Sequence, residues 1–489
     1  MSTPTLILAV GVVYMVATAL IGAAATRRTR SADDFFVAGR RIGLLALALS
    51  TMSASLSGFA FIGGPGLVYS LGLGAVFIVL PAGVTNALAA WVLGRRLRSL
   101  AEVESILTLP DALRVRFGSP AAQGLAAVSI LLAVTGYLAA NLLAMGVALD
   151  VIFETGVLGG VALGTLLVLA YSVAGGIVAG IWTDLLQGGW MAVASLLVFA
   201  TVLEVGGGLG GLSATLLEAD PGFLAPWGRL TPLAAVGFYL VYSVGVLGQP
   251  HVMHKFLMVR DPRRLRWFPA LATFALVVMI LLFVGVGIAS RALELRGDVA
   301  PLANADDATP TFLLGFAPGL LAALVFSGVA AAIMSTVNSF LSVGAAAAVR
   351  DLPRALGRPV ANELRAGRIA TAALCLAAAV TAVVSDTLLA FLAIFGWGLF
   401  ASTLVPALAI GLNWPRATRA GAVASIATGL GLTVLFEGLA LAGAWTLPVG
   451  VSIAAVTLLL STLVFLGVSA LTSAGRVEEL PPPVRRALR

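Results

Sequence analysis

The chain has 489 residues, 60% of them hydrophobic and 10% charged, with a formal net charge of +7. Together with a mean hydropathy of +1.06, this excludes a soluble globular protein and points to a polytopic α-helical membrane protein. The single cysteine, Cys375, lies in an apolar run, which excludes a disulfide framework or a cysteine metal centre.

Apolar runs of about 20 residues predict thirteen spans. They fall near 5–25, 43–69, 72–94, 120–149, 156–175, 182–205, 232–257, 267–290, 317–349, 366–385, 388–412, 418–441 and 447–472. Ala23-Ala24-Ala25 resembles a signal-peptide cleavage site. However, no positive charge precedes the first span, and Arg27, Arg28 and Arg30 follow it. That is the reverse of a secretory signal, so the first span is expected to be retained with its N-terminus outside.

Of the 29 lysines and arginines, only Arg229, Arg291 and Arg296 then face outward; the rest, Lys255 included, fall in inner loops or the tail. This positive-inside bias needs an odd number of spans and puts the C-terminus inside. The net charge is therefore topology rather than a nucleic-acid surface. A multi-pass protein of the cytoplasmic (inner) membrane is expected, with the bilayer as its surroundings, no nucleic acid and no obligate protein partner. Residues 1–472 form one transmembrane domain. Residues 473–489, with Pro481-Pro482-Pro483, form a cytoplasmic tail expected to be flexible. No nucleotide motif occurs in a strand–helix context, and no nucleophile–base pair or metal constellation is visible. The chain is not expected to be an enzyme or to carry a cofactor.

In span two, Ser50, Ser53, Ser55 and Ser57 recur every two or three residues, followed by glycines. One reading is a continuous helix whose hydroxyls bond back to their own carbonyls. The other is a break near Ser53–Ser57 that frees carbonyls for a cation and a polar substrate. Span seven carries Gly245, Gly248 and Pro250 and reads as a second interrupted helix. Tyr239 and Tyr242 on its outer half are positioned to line a cavity. His251 and His254, the only histidines, read as packing residues.

Span nine carries Ser335, Thr336, Asn338, Ser339 and Ser342. Its adjacent hydroxyls either back-bond or offer oxygens to a small hard cation. Neutral oxygens suffice for a monovalent ion. The absence of a buried carboxylate or histidine relay beside them argues against proton coupling. Asp184, at the inner mouth of span six, is a functional candidate by depth or a helix-start charge. Trp182, Trp190, Trp267 and Trp397 are expected at the interface or in the core.

The runs DFFVAGR (34–40), FIGGPG (61–66), TLP (108–110), IWTD (181–184), GQPH (248–251) and AAIMST (331–336) resemble the sodium:solute symporter family. That group contains bacterial sodium/proline, sodium/pantothenate, sodium/galactose and sialic-acid symporters. The resemblance implies a LeuT-like core of two five-helix inverted repeats, about 43–205 and 232–412, working by alternating access. It also implies Na+ as the coupling ion, the only metal expected. The main sodium site would use the carbonyls of Ser53, Leu56 and Ala332 and the side chains of Ser335 and Thr336. A second sodium site, seen in some relatives, would use Asp184 with Asn338 or Ser339.

Ser57 and Arg40 match positions that matter in sodium/proline members, with Arg40 in gating or coupling. The substrate cavity would draw on Ser55, Ser57, Gly58, Phe59, Tyr137, Tyr239, Tyr242 and Val246. Sodium/proline members carry Asp where this chain has Ser55, tryptophan at Phe59 and Tyr242, and tyrosine at Val246; Tyr137 is retained. These departures turn the expectation from proline toward a small carboxylate, monocarboxylate or pantothenate-like. An amino acid, a sugar, proton coupling and a transporter-like sensor are the alternatives.

Overall fold

The computed structural model describes residues 3–26, 40–55, 57–384, 389–448 and 450–488. Among these the architecture is all helical, the one β feature being an isolated bridge between Ile42 and Val259. In lipid each backbone group needs a partner within the protein, and helices supply it. Nine described helices are long and apolar enough to cross a membrane, or ten if a bent pair counts as one span.

The helices that position the site are α1 (Thr3–Thr26), α2 (Leu44–Ser55), α3 (Gly64–Leu71), α4 (Arg95–Val103), α5 (Leu109–Phe117), α6 (Pro120–Phe153) and α7 (Gly156–Gly206). They continue with α8 (Pro232–Gly245), α9 (Pro250–Phe256), α10 (Phe268–Arg296), α11 (Gly319–Ala346), α12 (Leu389–Val405) and α13 (Pro482–Ala487). Prolines fall in the first turn of α6 and α8, where the missing N–H costs nothing. Ser119 and Thr231 cap these helices by accepting from the N–H groups of Ala122 and Ala234.

The segments expected as spans five and six belong to one helical element, α7, with apolar stretches Gly156–Leu169 and Ile181–Gly206. α7 is the scaffold: it packs against α1, α2, α6, α10 and α11.

Both expected interruptions are present. α2 stops at Ser55, Ser57 is non-helical, and the chain re-enters a wide helical turn over Phe59–Gly63 before α3. α8 tightens through Val246–Gly248 and bends by 50° into α9. The start of the first interrupted segment and the end of the second are tied together. Ile42 N–H donates to Met258 O (3.1 Å) and Arg260 N–H to Ile42 O (2.9 Å).

Two expectations about the inner face are corrected. The tail is docked rather than loose: α13 packs on α4, and Val484 and Leu488 are buried. The positively charged residues are also not all in solvent. Arg116, on α5, is fully buried and donates to the carbonyls of Gly411 (2.8 Å), Gly475 (2.8 Å), Ala417 (3.0 Å) and Trp414 (3.3 Å). Burial pushes this guanidinium down to about 10, so it stays charged at neutral pH.

One planar five-donor fork thus ties α5 to the 411–417 link and to the start of the tail, which a lysine cannot imitate. Arg116→Lys is expected to leave at least one of these carbonyls without a donor and to cost about 2 kcal/mol. Thermal unfolding in detergent would show a lowered Tm, and limited proteolysis would show cleavage gained near residue 475.

Candidate ion and substrate site

A helix that ends inside a bundle leaves its last carbonyls without intrahelical partners. At the end of α2 these are carbonyls of residues 52–55, and α11 meets them with hydroxyls. Thr336 Oγ1 donates to Ala54 O (3.2 Å) and Ser53 Oγ to Ser335 Oγ (3.3 Å). Ser53, Ala332, Ser335 and Thr336 are all buried. Ser335 and Thr336, expected as sodium ligands, therefore contact the end of α2 through Ser53 Oγ and Ala54 O. Leu56, expected to supply a carbonyl, lies outside the described residues.

The restart of the broken helix is held from α6. Asn141 Oδ1 accepts from Gly58 N–H (3.0 Å), while its amide donates to Tyr137 O (2.8 Å). Ser57 Oγ accepts from Phe59 N–H (3.2 Å). A Cβ on Gly58 would stand 2.5 Å from Ala144 Cβ, so the break depends on glycine here. Asn141 was not anticipated; a fully buried asparagine in an otherwise apolar helix was its only signal.

Asp184 is no helix-start charge at the interface. It is 2% exposed, and three side chains converge on it. Ser335 Oγ donates to its Oδ1, and Ser50 Oγ donates to its Oδ2 at 3.0 Å. The third is Lys255 Nζ, on α9, at 2.8 Å from Oδ2. Lys255 also donates to Ser50 O (2.7 Å) and Ser50 Oγ (2.9 Å). This corrects two expectations. Lys255 is a buried member of the site rather than an inner-loop charge, and the hydroxyl cluster does have a buried carboxylate beside it. Removing either partner would leave a buried charge uncompensated, at a cost of about 3–5 kcal/mol. The available signal was composition: Lys255 is the only lysine in a chain with 28 arginines.

Asn338 and Ser339 line the same space as Asp184, a cavity of about 30 Å³ that also touches His251 and His254. His251 packs on Phe340, with ring centroids 4.0 Å apart. Arg40 takes a left-handed backbone conformation (φ 55°) and donates to Ala101 O in α4, at the inner entry to α2.

A second space, about 80 Å³, opens on the far side of α2. Of the residues expected there, Ser55, Phe59, Tyr137, Tyr242 and Val246 line it; Ser57, Gly58 and Tyr239 do not. Ser57 and Gly58 instead serve the break, and Tyr239 is half-buried one turn before Tyr242 on α8. Thr51, Asn86 and Trp397 were missed. Trp397 is no belt residue: it stacks on Tyr242, centroids 5.0 Å apart at 21°, and forms a wall of the space. No charged side chain lines it among the described residues. Ser55 Oγ donates to Thr51 O (2.8 Å), so back-bonding and a broken helix coexist in α2.

The family model for sodium:solute symporters matches residues 35–429. The chain belongs to the sodium:solute symporter family. This symporter is 28% identical to the high-affinity proline transporter of Bacillus subtilis over 428 residues, covering 85% of this chain and 89% of that one. It is also 28% identical to the sodium/pantothenate symporter of Escherichia coli over 409 residues, covering 81% and 83%. Its fold matches that of a sodium-coupled sialic acid symporter solved in a substrate-bound outward-open state. The TM-score is 0.78 at 19% identity, with 96% of this chain and 98% of that one covered. The symporter is thus a multi-pass membrane transporter of LeuT-like fold, with Na+ as coupling ion for solute import.

In this symporter Ser335 and Thr336 bring buried hydroxyls to the end of α2. Replacing Thr336 and Ser335 together by alanine is expected to raise the sodium concentration for half-maximal activation by on the order of tenfold or more, since each lost ligand is worth roughly 1 kcal/mol. Sodium titration of purified protein would measure it. An unchanged midpoint would move the ion elsewhere.

Proposed function

We propose that the protein imports a small monocarboxylate with sodium, by alternating access across the cytoplasmic membrane, through thirteen spans with the N-terminus outside. The sodium would sit between the carbonyl end of α2 and the Ser335–Thr336 pair. The solute would sit in the aromatic space beyond α2.

The observation that carries this reading is the double use of one helix end. Residues two apart on a helix face roughly opposite ways. Ser53 meets α11, while Thr51 and Ser55 face the second space. An ion that fixes the end of α2 would therefore also fix the hydroxyls offered to solute. Differential affinity of this kind is what coupling requires.

The lining argues for the solute class. Proline, pantothenate and sialic acid, the solutes named for the relatives, each carry a carboxylate. A zwitterionic amino acid also brings an ammonium, and the described lining offers it no acid. A carboxylate alone needs no side-chain partner here, because the co-transported sodium balances its charge. Thr51 Oγ1 is buried without a protein partner and is available to such a group, while Phe59, Tyr242 and Trp397 take the apolar body.

Uptake into proteoliposomes under an inward sodium gradient, across labelled carboxylates, amino acids and sugars, tests this. Sodium-driven accumulation confined to monocarboxylates is the expected result; accumulation of amino acids or sugars instead would remove the carboxylate assignment. Binding without accumulation would identify a sensor, and accumulation under a proton gradient without sodium would remove sodium coupling. Ser55→Asp is expected to lower carboxylate uptake at least about tenfold, by placing an anion in the space, with little change in the sodium midpoint. An unaltered substrate profile would place Ser55 outside the binding region.

A further inference from the structure

The relatives' second sodium site would need Asp184 free to take an ion, yet the carboxylate already holds a cation. Lys255 Nζ has three donors and uses all three: Asp184 Oδ2 at 2.8 Å, Ser50 O at 2.7 Å and Ser50 Oγ at 2.9 Å. These oxygens, with Ser335 on the other carboxylate oxygen, are the hard, partly anionic set that suits a small monovalent cation. We propose that Lys255 is the resident cation of this second site, a tethered ammonium in place of a second coupling ion, so that the symporter takes up one sodium per cycle.

Three observations carry the inference. The first is charge balance. Among the described residues lining the cavity at Asp184 there is no other acid. A sodium ion added beside Lys255 would share one carboxylate with it and leave a net positive charge in a buried space, which the low dielectric penalises.

The second is the residue type. The chain uses arginine at 28 positions and lysine at one. The compact ammonium is a point charge that fits among converging oxygens, whereas a guanidinium fork does not.

The third is placement. Lys255 is on α9, the inner half of one interrupted helix, and Ser50 is on α2, the inner half of the other; Asp184 is on the scaffold helix α7. One ammonium therefore bridges three elements, which would have to separate there for the inner side to open by alternating access. A free sodium would diffuse away on opening. The tethered charge leaves only as far as α9 moves, and returns with it.

The inference rests on the reading that the transported sodium sits at Ser335 and Thr336, and the test separates the two. Radiolabelled sodium bound per chain is counted at saturation on the purified full-length protein in lipid nanodiscs. The wild type is expected to bind one sodium. Lys255→Met is expected to bind two, the new ion replacing the ammonium at Asp184. Lys255→Met with Asp184→Asn is expected to return to one, and Lys255→Arg to stay at one or lose its fit at Ser50. Two ions on the wild type overturn the proposal, whether or not any variant folds. So does a folded Lys255→Met protein that binds one ion or none. Thr336→Ala addresses the first site alone: an unchanged sodium affinity there would displace that site, while the count in Lys255→Met still decides the role of Lys255.

Discussion

A helix that stops in a buried interior leaves carbonyl oxygens that must be answered by something, and the end of α2 is where this chain has that problem. Lipid and packed side chains offer no hydrogen bonds. The carbonyl end is met by Thr336 of α11, which donates to Ala54 O, while the N–H groups of the restarting helix find acceptors of their own: Asn141 Oδ1 from α6 for Gly58 and Ser57 Oγ locally for Phe59. The break also needs room. A Cβ at Gly58 would collide with Ala144, and one at Gly248, in the second interruption, would stand 2.4 Å from Phe400 O. Small residues at the two breaks are thus a packing requirement that follows from the polar one. Both together keep ligand-accepting oxygens in a dry place, where they act on an ion most strongly.

The charges are distributed by the same logic. Arginines that leave solvent, such as Arg116, are surrounded by carbonyl oxygens from several links and join them. They fix the parts that stay together. The one lysine is instead set against a carboxylate and hydroxyls at the meeting point of α2, α7 and α9. A buried pair of this kind is weak evidence for stability, because desolvation offsets most of the attraction. Its placement between elements that must move makes more sense as a device for defining one arrangement of them.

Much of this was legible from the residues alone. The serine spacing in 50–57 left a break and a continuous helix equally open, because hydroxyls on a helix can bond back to their own carbonyls; the structure has both the break and a back-bonded Ser55. The Ser335–Thr336 pair stood out as adjacent hydroxyls in an apolar span, and the aromatic positions Phe59, Tyr137 and Tyr242 followed from the family pattern. What was not legible depends on which way a side chain turns within an element. Lys255 sits one turn from a charged loop, so sequence distance assigned it to that loop; only the bend at Gln249–Pro250 directs it inward. Ser57 and Gly58 lie next to the cavity in sequence but are consumed by the backbone of the break. Trp397 reads as a membrane aromatic until α12 brings it against Tyr242. The docked tail was hidden because its anchor, Arg116, is some 360 residues away, and no local pattern reports a contact of that range.

The geometry also says why ion and solute need not touch to be coupled. An ion shifts a conformational equilibrium only by its difference in affinity between states. With sodium at the proposed site, the difference would arise because its oxygens belong to separate helices: carbonyls on α2 and hydroxyls on α11. Separating these helices would remove half of the ligands at once, so affinity would fall steeply with a small movement. The solute space has the same construction, with α2 on one side and Tyr242 and Trp397, from α8 and α12, on another. A shared wall then transmits the effect. Either occupant holds α2 where the other needs it, and by linkage each raises the affinity of the other by the same factor. Direct contact between sodium and carboxylate would add attraction, but the shared helix end is sufficient for the coupling.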